Sequence, residues 1–485
     1  MRCAKSHAMN VVRVLMIMLL LGVCACSGGG GGGAPAPVPA WEKFRRDTGN
    51  SGQGNGTIAD NTGLLKWETQ IDNSPISSSP AIDIDGTLHV ATEGGTLAAL
   101  APATGTIDWV IGGSTPVTCP RGTYTLGPLI SSPAVYTFGS VTNIMIGSAR
   151  GAVYVFQDNG TTQTCTGRFE PNPADFDNAT ITSQFNSSPT FTTNPSTLAI
   201  ASIVIGAAID VTQGGATRTV GKLYALNTDG TLIWQFPKVG ARAIGAVTSS
   251  PALGSANEPF FTAADGYLYA LANDGSLKWR FPIGEVVDPR APFSASPLVS
   301  DLLFVPSATG NIFAVNPDGA FRWRVSSPDG TGFVSSLAAG PQATTTPSLT
   351  PTIPSTPTPP PGATATPTPT ATPPFPNTTL FGVTTAGAVV LIDTNSGLMK
   401  MLTEPAASIA GPVISSPLLS SDGYLVVGSA DGILHAINTF TGEQPSGWPV
   451  TLAAGIPIRS SPAIDNNGNV YVGNDRGIVY AVGSK

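Results

Sequence analysis

The chain has 485 residues, only 11% of them charged, and its formal net charge is −7. No positive field exists to attract phosphate backbones, so nucleic acid is excluded as an expected partner. The 56 glycines and 44 prolines favour turns and strands over helices, and one large closed β domain is compatible with the length.

Residues 1–25 have the pattern of an export signal. A basic region precedes the apolar run 14–22, which is too short to span a bilayer. Residues 23–27 resemble a bacterial lipobox, and the small residue before Cys26 favours it over Cys24 as the acylated cysteine. A plain secretory signal with incidental cysteines is the alternative.

Residues 26–40 form a glycine- and proline-rich tether between this signal and Trp41. Several acyl chains on Cys26 would hold the protein durably on a membrane. We therefore expect an exported bacterial protein that is lipid-anchored to the outer membrane or the cell surface. The sequence leaves the periplasmic and the surface-exposed leaflet equally open.

One pattern recurs along residues 41–485. A typical copy begins with Ser-Ser-Pro, continues through two alternating strands around a glycine turn, and ends with an Asp-Gly turn and a strand that carries tryptophan, whereas one copy has Leu337 in the place of proline. Alternating runs divided by glycine turns are β-hairpins, and four strands make one propeller blade. Eight positions mark the copies: Pro80, Pro133, Pro189, Pro251, Pro297, Leu337, Pro417 and Pro462.

The pattern predicts an all-β, eight-bladed β-propeller of four-stranded antiparallel blades. The last repeat lacks its fourth strand, whereas residues 64–68 have fourth-strand character but precede the first repeat. We predict that this N-terminal strand completes the last blade, because closure removes exposed sheet edges.

Five tryptophans occupy the same fourth-strand position. We expect their side chains to pack between neighbouring blades; a stacking platform for sugars or bases is the alternative. They are Trp67, Trp109, Trp234, Trp279 and Trp323.

Two cysteines remain in the chain after Cys26, namely Cys119 and Cys165. In an oxidising envelope such an isolated pair favours a disulfide over two free thiols. The chain-entropy model gives roughly 4 kcal/mol of stabilisation for a loop of this length.

Residues 341–377 interrupt blade six. They contain thirteen prolines and no charged residue, so this segment is expected to be extended and unable to bury a core. A glycosylated spacer, a partner arm and a disordered surface loop are the three interpretations.

The repeats are similar to the pyrroloquinoline-quinone-like (PQQ-like) propeller repeat over nearly all of residues 41–485. Residues 41–47 resemble the leader that often precedes such propellers in bacterial envelope proteins. The resemblance implies the fold but no single function, because one fold serves unrelated tasks. Quinoprotein dehydrogenases, the propeller lipoprotein of the barrel-assembly machinery and extracellular binding propellers are the three kinds of relative.

The resemblance to dehydrogenases implies PQQ held over a tryptophan and under a disulfide of adjacent cysteines, with Ca²⁺ bound by side-chain oxygens and an aspartate as base. Here Cys119 and Cys165 are far apart in sequence, and no matching carboxylate cluster is evident. The sequence therefore favours neither a catalytic residue nor a bound cofactor.

Other metal chemistry has little support. His89 and His435 are the only histidines after the signal, and His435 replaces Tyr269 of another repeat, so a zinc site is not expected. The segments 83–86 and 465–468 have some character of Ca²⁺ loops, but both stand where hairpins need turn residues. We expect turns and no metal.

Loops between the last strand of one blade and the first strand of the next would line a mouth of the channel. Arginines on them would hold an anionic group if they converge, and are otherwise solvated. The loops are 113–128, 170–186, 238–247, 282–293, 403–412 and 451–459, and the arginines are Arg121, Arg242, Arg290 and Arg459.

The sequence as a whole favours a non-catalytic, membrane-tethered propeller that binds protein or glycan partners in the envelope or at the cell surface, as a monomer. A PQQ-dependent oxidoreductase and an outer-membrane protein assembly factor are the alternatives.

Overall fold

The computed structural model describes residues 41–138, 140–194, 200–282, 295–340, 379–402, 409 and 411–484. Cys26, the signal, the tether, Arg290 and the segment 341–377 lie outside these ranges. Among the residues described, no helix has the length and apolar character needed to cross a membrane.

The chain forms eight antiparallel sheets in sequence order, here called blades one to eight. The strand β1 (Leu64–Gln70) precedes them. Blade one contains β2 (Ala81–Ile82), β3 (Leu88–Ala91), β4 (Thr96–Leu100) and β5 (Ile107–Gly112), and a small hairpin of β6 (Val117–Cys119) and β7 (Gly122–Tyr124) follows. Blade two contains β8 (Ala134–Phe138), β9 (Val141–Gly147), β10 (Val153–Asp158) and β11 (Gln163–Phe169).

Blade three follows a 3-10 helix (Pro173–Phe176) and contains β12 (Thr180–Gln184), β13 (Thr190–Thr193), β14 (Ile200–Gln213), β15 (Ala216–Leu226) and β16 (Leu232–Phe236). Blade four contains β17 (Ala252–Leu253), β18 (Pro259–Thr262), β19 (Tyr267–Leu271) and β20 (Leu277–Pro282). Blade five contains β21 (Leu298–Val299), β22 (Leu303–Pro306), β23 (Asn311–Val315) and β24 (Phe321–Ser326).

Blade six contains β25 (Ala338–Gly340), β26 (Thr379–Val383), β27 (Val389–Asp393) and β28 (Met399–Met401). Blade seven contains β29 (Leu418–Leu419), β30 (Tyr424–Gly428), β31 (Ile433–Asn438) and β32 (Val450–Thr451). Blade eight contains β33 (Ala463–Ile464), β34 (Val470–Gly473) and β35 (Ile478–Gly483).

The predicted closure of the ring is confirmed. The strand β1 pairs antiparallel with β35, so the order in blade eight is β1, β35, β34, β33. The first and last parts of the propeller therefore share one sheet, and no outer strand is missing from blade eight.

The two serines of the repeat have different roles, and in blade five Ala295 replaces the first of them. The N–H of the second serine donates to the hydroxyl of the equivalent serine in the next blade, at 2.8 to 3.2 Å, and the eighth bond returns to the first blade. This closed circle runs through Ser79, Ser132, Ser188, Ser250, Ser296, Ser336, Ser416 and Ser461. The first serine instead holds its own blade together, as where Ser249 accepts from the Thr262 N–H at 3.0 Å.

The fourth-strand tryptophans contact the blade that follows. Trp234, for example, donates from Nε1 to the Asn273 carbonyl at 3.0 Å, and its ring lies against Gly275. Gly275 has φ +78°, and a Cβ there would collide with the indole, so the turn needs glycine. The Nε1 donors of Trp67, Trp109, Trp279 and Trp323 bond to Pro102, Asp158, Pro317 and Thr394 respectively.

Blade three departs from the expected four strands. It has five strands. The strand β14 has 14 residues, and the two short strands β12 and β13 pair with different parts of its length. The prediction of a plain loop at 170–186 is therefore wrong, because a 3-10 helix and β12 lie there. The segment 113–128 does connect blades one and two, and β6 and β7 form a separate hairpin within it.

Candidate functional site

The centre of the ring is occupied by the chain itself. Residues 41–58, here called the leader, follow the innermost strands around the channel. The leader carbonyls accept hydrogen bonds of 2.7 to 2.9 Å from innermost-strand N–H groups of six blades. These donors are Ile82, Val135, Leu253, Val299, Ala339 and Leu419. The leader therefore satisfies backbone groups that would otherwise be unpaired inside the channel.

The leader also sends polar side chains into the centre. Lys43, Arg45 and Asn50 are at most 1% exposed. Lys43 donates to Asn50 Oδ1 at 2.7 Å, and Asn50 Nδ2 donates to the Pro297 carbonyl at 3.1 Å. Arg45 donates to the carbonyls of Leu337 and Pro417. Three side chains of the leader thus fill the axis and connect blades on several sides.

The two buried cations are bound by neutral acceptors. Burial lowers the pKa of Lys43 to about 7, an effect that Asp47 opposes. Burial likewise lowers the pKa of Arg45 to about 9, again opposed by Asp47. The Asp47 carboxylate itself accepts hydrogen bonds from Ser51. These buried side chains and their hydrogen bonds form a polar plug at the centre of the ring.

The three described arginines from the predicted mouth loops are not brought together. Arg121 lies at the tip of the β6–β7 hairpin, which packs against β11, the outermost strand of blade two. Arg459 is bound to Asp475 at 2.8 Å. Arg242 lies in the loop after β16, and in the described ranges it forms no ion pair with a carboxylate. Arg121 lies on the outer side of the ring, away from the mouth where the arginines would have to converge to hold an anionic group.

Cys119 and Cys165 form a disulfide, as predicted. Cys119 ends β6 and Cys165 lies in β11, so the bond fixes the small hairpin to the outer strand of blade two. Arg168 beside it lies over the Tyr124 ring at 3.6 Å. The disulfide therefore stabilises structure at the outer edge of blade two, away from the channel.

The two aspartate segments form turns. Asp83 Oδ1 accepts from the N–H of Thr87 at 2.9 Å, and Asp465 Oδ1 accepts from the N–H of Asn469 at 2.9 Å. Throughout the described residues, no group of three His, Cys, Asp or Glu side chains is placed to hold a metal ion. His89 is fully buried against Asp83 at 3.1 Å, and His435 is also buried.

A cavity of about 270 Å³ lies beside the long hairpin of blade three. Its walls come from the 3-10 helix, from β15 and from the loop after β16. Lys222 on β15 is 6% exposed, donates to the Pro237 carbonyl and lies 5.6 Å from the centre of the Phe176 ring. Sequence reasoning missed this site, although the unusual length of blade three between Pro189 and Pro251 was a signal for it.

A second cavity, of about 390 Å³, lies where blade eight meets blade one. Lys66, Asp465, Asn469 and Tyr471 line it. Asp465 is already bound there by Asn469 and by the Tyr471 hydroxyl at 3.0 Å. The polar groups of this cavity thus bind one another within blade eight, the blade that closes the ring.

The family model of the outer membrane protein assembly factor BamB matches residues 182–350. The chain is similar to BamB from Moraxella catarrhalis, with 16% identity and a TM-score of 0.54, over 87% of this chain and 98% of that chain. It is similar to the quinohemoprotein alcohol dehydrogenase from Comamonas testosteroni, with 12% identity and a TM-score of 0.61, over 93% of this chain and 81% of that chain. The expected resemblance to PQQ-like propeller repeats is thus supported over residues 182–350.

A computationally designed protein, Ika8, has the same fold, with 13% identity and a TM-score of 0.54, over 87% of this chain and all of that chain. No curated protein sequence matches the chain significantly. The structural likenesses, all with low identity, show the fold alone. Proteins of different function share this fold, so the function of this chain must be argued from its own residues.

The described residues do not fit a quinone with Ca²⁺. The leader fills the axis with Lys43, Arg45 and Asn50. The disulfide, which would have to cover the quinone, lies at the outermost strand of blade two.

Proposed function

We propose that the protein is a non-catalytic binding propeller, tethered to a bacterial membrane through Cys26, that engages partners in the envelope or at the cell surface. The observation that carries the proposal is the leader, which occupies the axis with buried side chains of its own. A propeller whose centre is packed in this way is suited to present its outer surface and loops to partners.

The absence of a fitted quinone site supports this proposal over the PQQ-dependent oxidoreductase. Reconstitution tests it directly. Purified protein is incubated with PQQ and Ca²⁺ and desalted, and its absorption spectrum is recorded beside that of a quinoprotein dehydrogenase treated in the same way. We expect no retained chromophore on this chain. A stoichiometric quinone spectrum would overturn the proposal.

Partner binding is tested on protein crosslinked in its native membrane. We expect a diacylated Cys26 in the mass spectrum and a reproducible crosslinked partner. A variant with Cys26→Ser is the matched control, because it removes the acyl site and leaves the propeller unchanged. Recovery of uncrosslinked protein alone, from membranes of the native cell, would contradict a binding role.

A role in outer-membrane protein assembly is the second candidate. The match of residues 182–350 to the BamB family model favours it. This role predicts copurification with outer-membrane β-barrel machinery, whereas other envelope partners would be recovered under the broader proposal.

A further inference from the structure

The long hairpin of blade three leaves one strand edge open. β12 and β13 pair with one side of β14 and β15 with the other, whereas β16 pairs with β15 only over 223–226. In the part of the chain that the structure describes, the one further partner on this side of β15 is Ile244, whose carbonyl accepts from the Gly221 N–H at 2.9 Å. Residues 216–220 therefore have a free edge.

The backbone groups on this edge follow from strand geometry. N–H and C=O groups alternate between the two sides of a strand, and the Gly221 N–H points away from β14. The groups of Thr219 and Thr217 therefore point the same way. No described residue forms a backbone hydrogen bond with them on that side. Such an unpaired row is a template for another strand.

The blade-three cavity lies directly beside this edge. Arg218, Val220 and Lys222 alternate along β15, so their side chains share one face, and all three line the cavity. A strand added beside β15 would place alternate side chains into this space. Strand addition of this kind obtains affinity from main-chain hydrogen bonds and specificity from such pockets.

The charge of the cavity selects the partner. Arg218, Lys222 and Lys238 line it and form no salt bridge with a described carboxylate. Burial lowers the pKa of Lys222, and the nearby charge of Asp175 opposes this effect. The two acids in the lining are Asp175, which accepts from Gln235 at 3.1 Å, and Asp177. The lining is net positive by one charge, in a chain with a net charge of −7. An ammonium with one carbonyl acceptor also retains further donor positions.

We infer that the free edge of β15 and the blade-three cavity together bind an extended, acidic segment of a partner protein, which adds as a strand and places a carboxylate against Lys222. This inference rests on the proposed binding function and names the chemistry of the partner. A peptide strand supplies both the backbone groups that the edge lacks and the negative charge that the cavity attracts.

The test uses labelled peptides and the full propeller. The probe is a fluorescein-labelled six-residue peptide that alternates valine and glutamate, and its control alternates valine and lysine. We expect fluorescence anisotropy to show binding of the acidic peptide only, and hydrogen exchange to slow at the amides of Thr217 and Thr219. Absence of binding, or equal binding of the lysine peptide, would overturn the inference.

Two variants separate the edge from the cavity. Thr219→Pro removes one outward N–H, and Lys222→Met removes the charge but keeps the stem. Each should raise the Kd of the acidic peptide about tenfold, as expected for loss of one hydrogen bond or one charged contact. Lys238→Met changes an exposed residue of the cavity lining, so it is expected to fold, and it should also raise the Kd of the acidic peptide. Lys278→Met is the matched control, since Lys278 pairs with Glu258 at 3.2 Å in blade four. If Thr219→Pro and Lys222→Met bind the acidic peptide as tightly as the wild-type protein does, the inferred site is refuted.

The membrane crosslinking experiment distinguishes this inference from the broader proposal. If wild-type protein and Thr219→Pro capture the same partner equally, the binding function stands and the inferred site fails. If wild-type protein captures no partner, the binding function itself fails.

Discussion

The inner edges of the blades and the outer edge of β15 present the same problem in two forms. Each is a row of backbone groups at the side of a sheet. In the channel, the leader accepts hydrogen bonds from the innermost strands of six blades. On β15, residues 216–220 have no such partner among the described residues. A propeller can thus pair the backbone groups of its inner strands within the chain and leave those of another strand edge unpaired. The unpaired edge is the place where a binding partner is expected.

Deletion of the leader, residues 41–58, has the largest expected effect. It would leave six inner N–H groups without acceptors and remove the buried side chain of Trp41, at a cost on the order of 5 kcal/mol. Chemical denaturation measures this loss. A second deletion, of residues 212–213 and 216–217, shortens the β14–β15 hairpin of blade three. We expect it to change the free energy of unfolding by less than about 1 kcal/mol. Equal losses for the two deletions would break the comparison.

Lys43→Met tests the charge buried in the channel. The folded state holds the pKa of Lys43 at about 7, below the ordinary value of 10.5, so folding favours the neutral amine. Wild-type stability should therefore rise as the pH increases from about 7 to 10.5, by up to a few kcal/mol. The variant should lack this slope and be the more stable protein at neutral pH. Unfolding at pH 7 and pH 10 measures both effects; parallel pH profiles would contradict the burial.

Asn50→Leu tests the polar contacts of the plug. The variant loses the acceptor for Lys43 and the donor to the Pro297 carbonyl, both of them buried. A loss of about 1–3 kcal/mol is expected, since buried polar groups would be left unsatisfied. In the Lys43→Met background the cost of Asn50→Leu should be smaller than in wild type, because no lysine is then left without its acceptor. Simple additivity would mean that the two side chains do not act together.

Thr219→Pro has the smallest expected effect on stability. Proline is tolerated at sheet edges because the lost N–H has no partner there. The free energy of unfolding should change by no more than about 0.5 kcal/mol. A larger loss would show that the edge of β15 is already paired within the chain.

The repeats by themselves determined the fold. The spacing of the Ser-Ser-Pro copies gave eight blades, and the misplaced strand at residues 64–68 gave the closure by β1, because these features depend on local turns and on strand alternation. The disulfide could also be predicted from the sequence, since Cys119 and Cys165 are the two cysteines that follow Cys26.

Tertiary structure decided what closure brings together. The serine bond that closes the circle joins Ser461 to Ser79, 382 positions apart. In the plug, Asn50 and Arg45 donate to carbonyls 247 and 292 positions away, and no local pattern encodes such contacts. The sequence predicted Arg121 at a channel mouth, because it lies in a segment that links two blades. In the structure, the disulfide fixes this segment to β11, the outermost strand of blade two. The cavity beside β15 likewise depends on where a long hairpin and two distant loops meet, which the geometry of the ring sets and the sequence pattern does not.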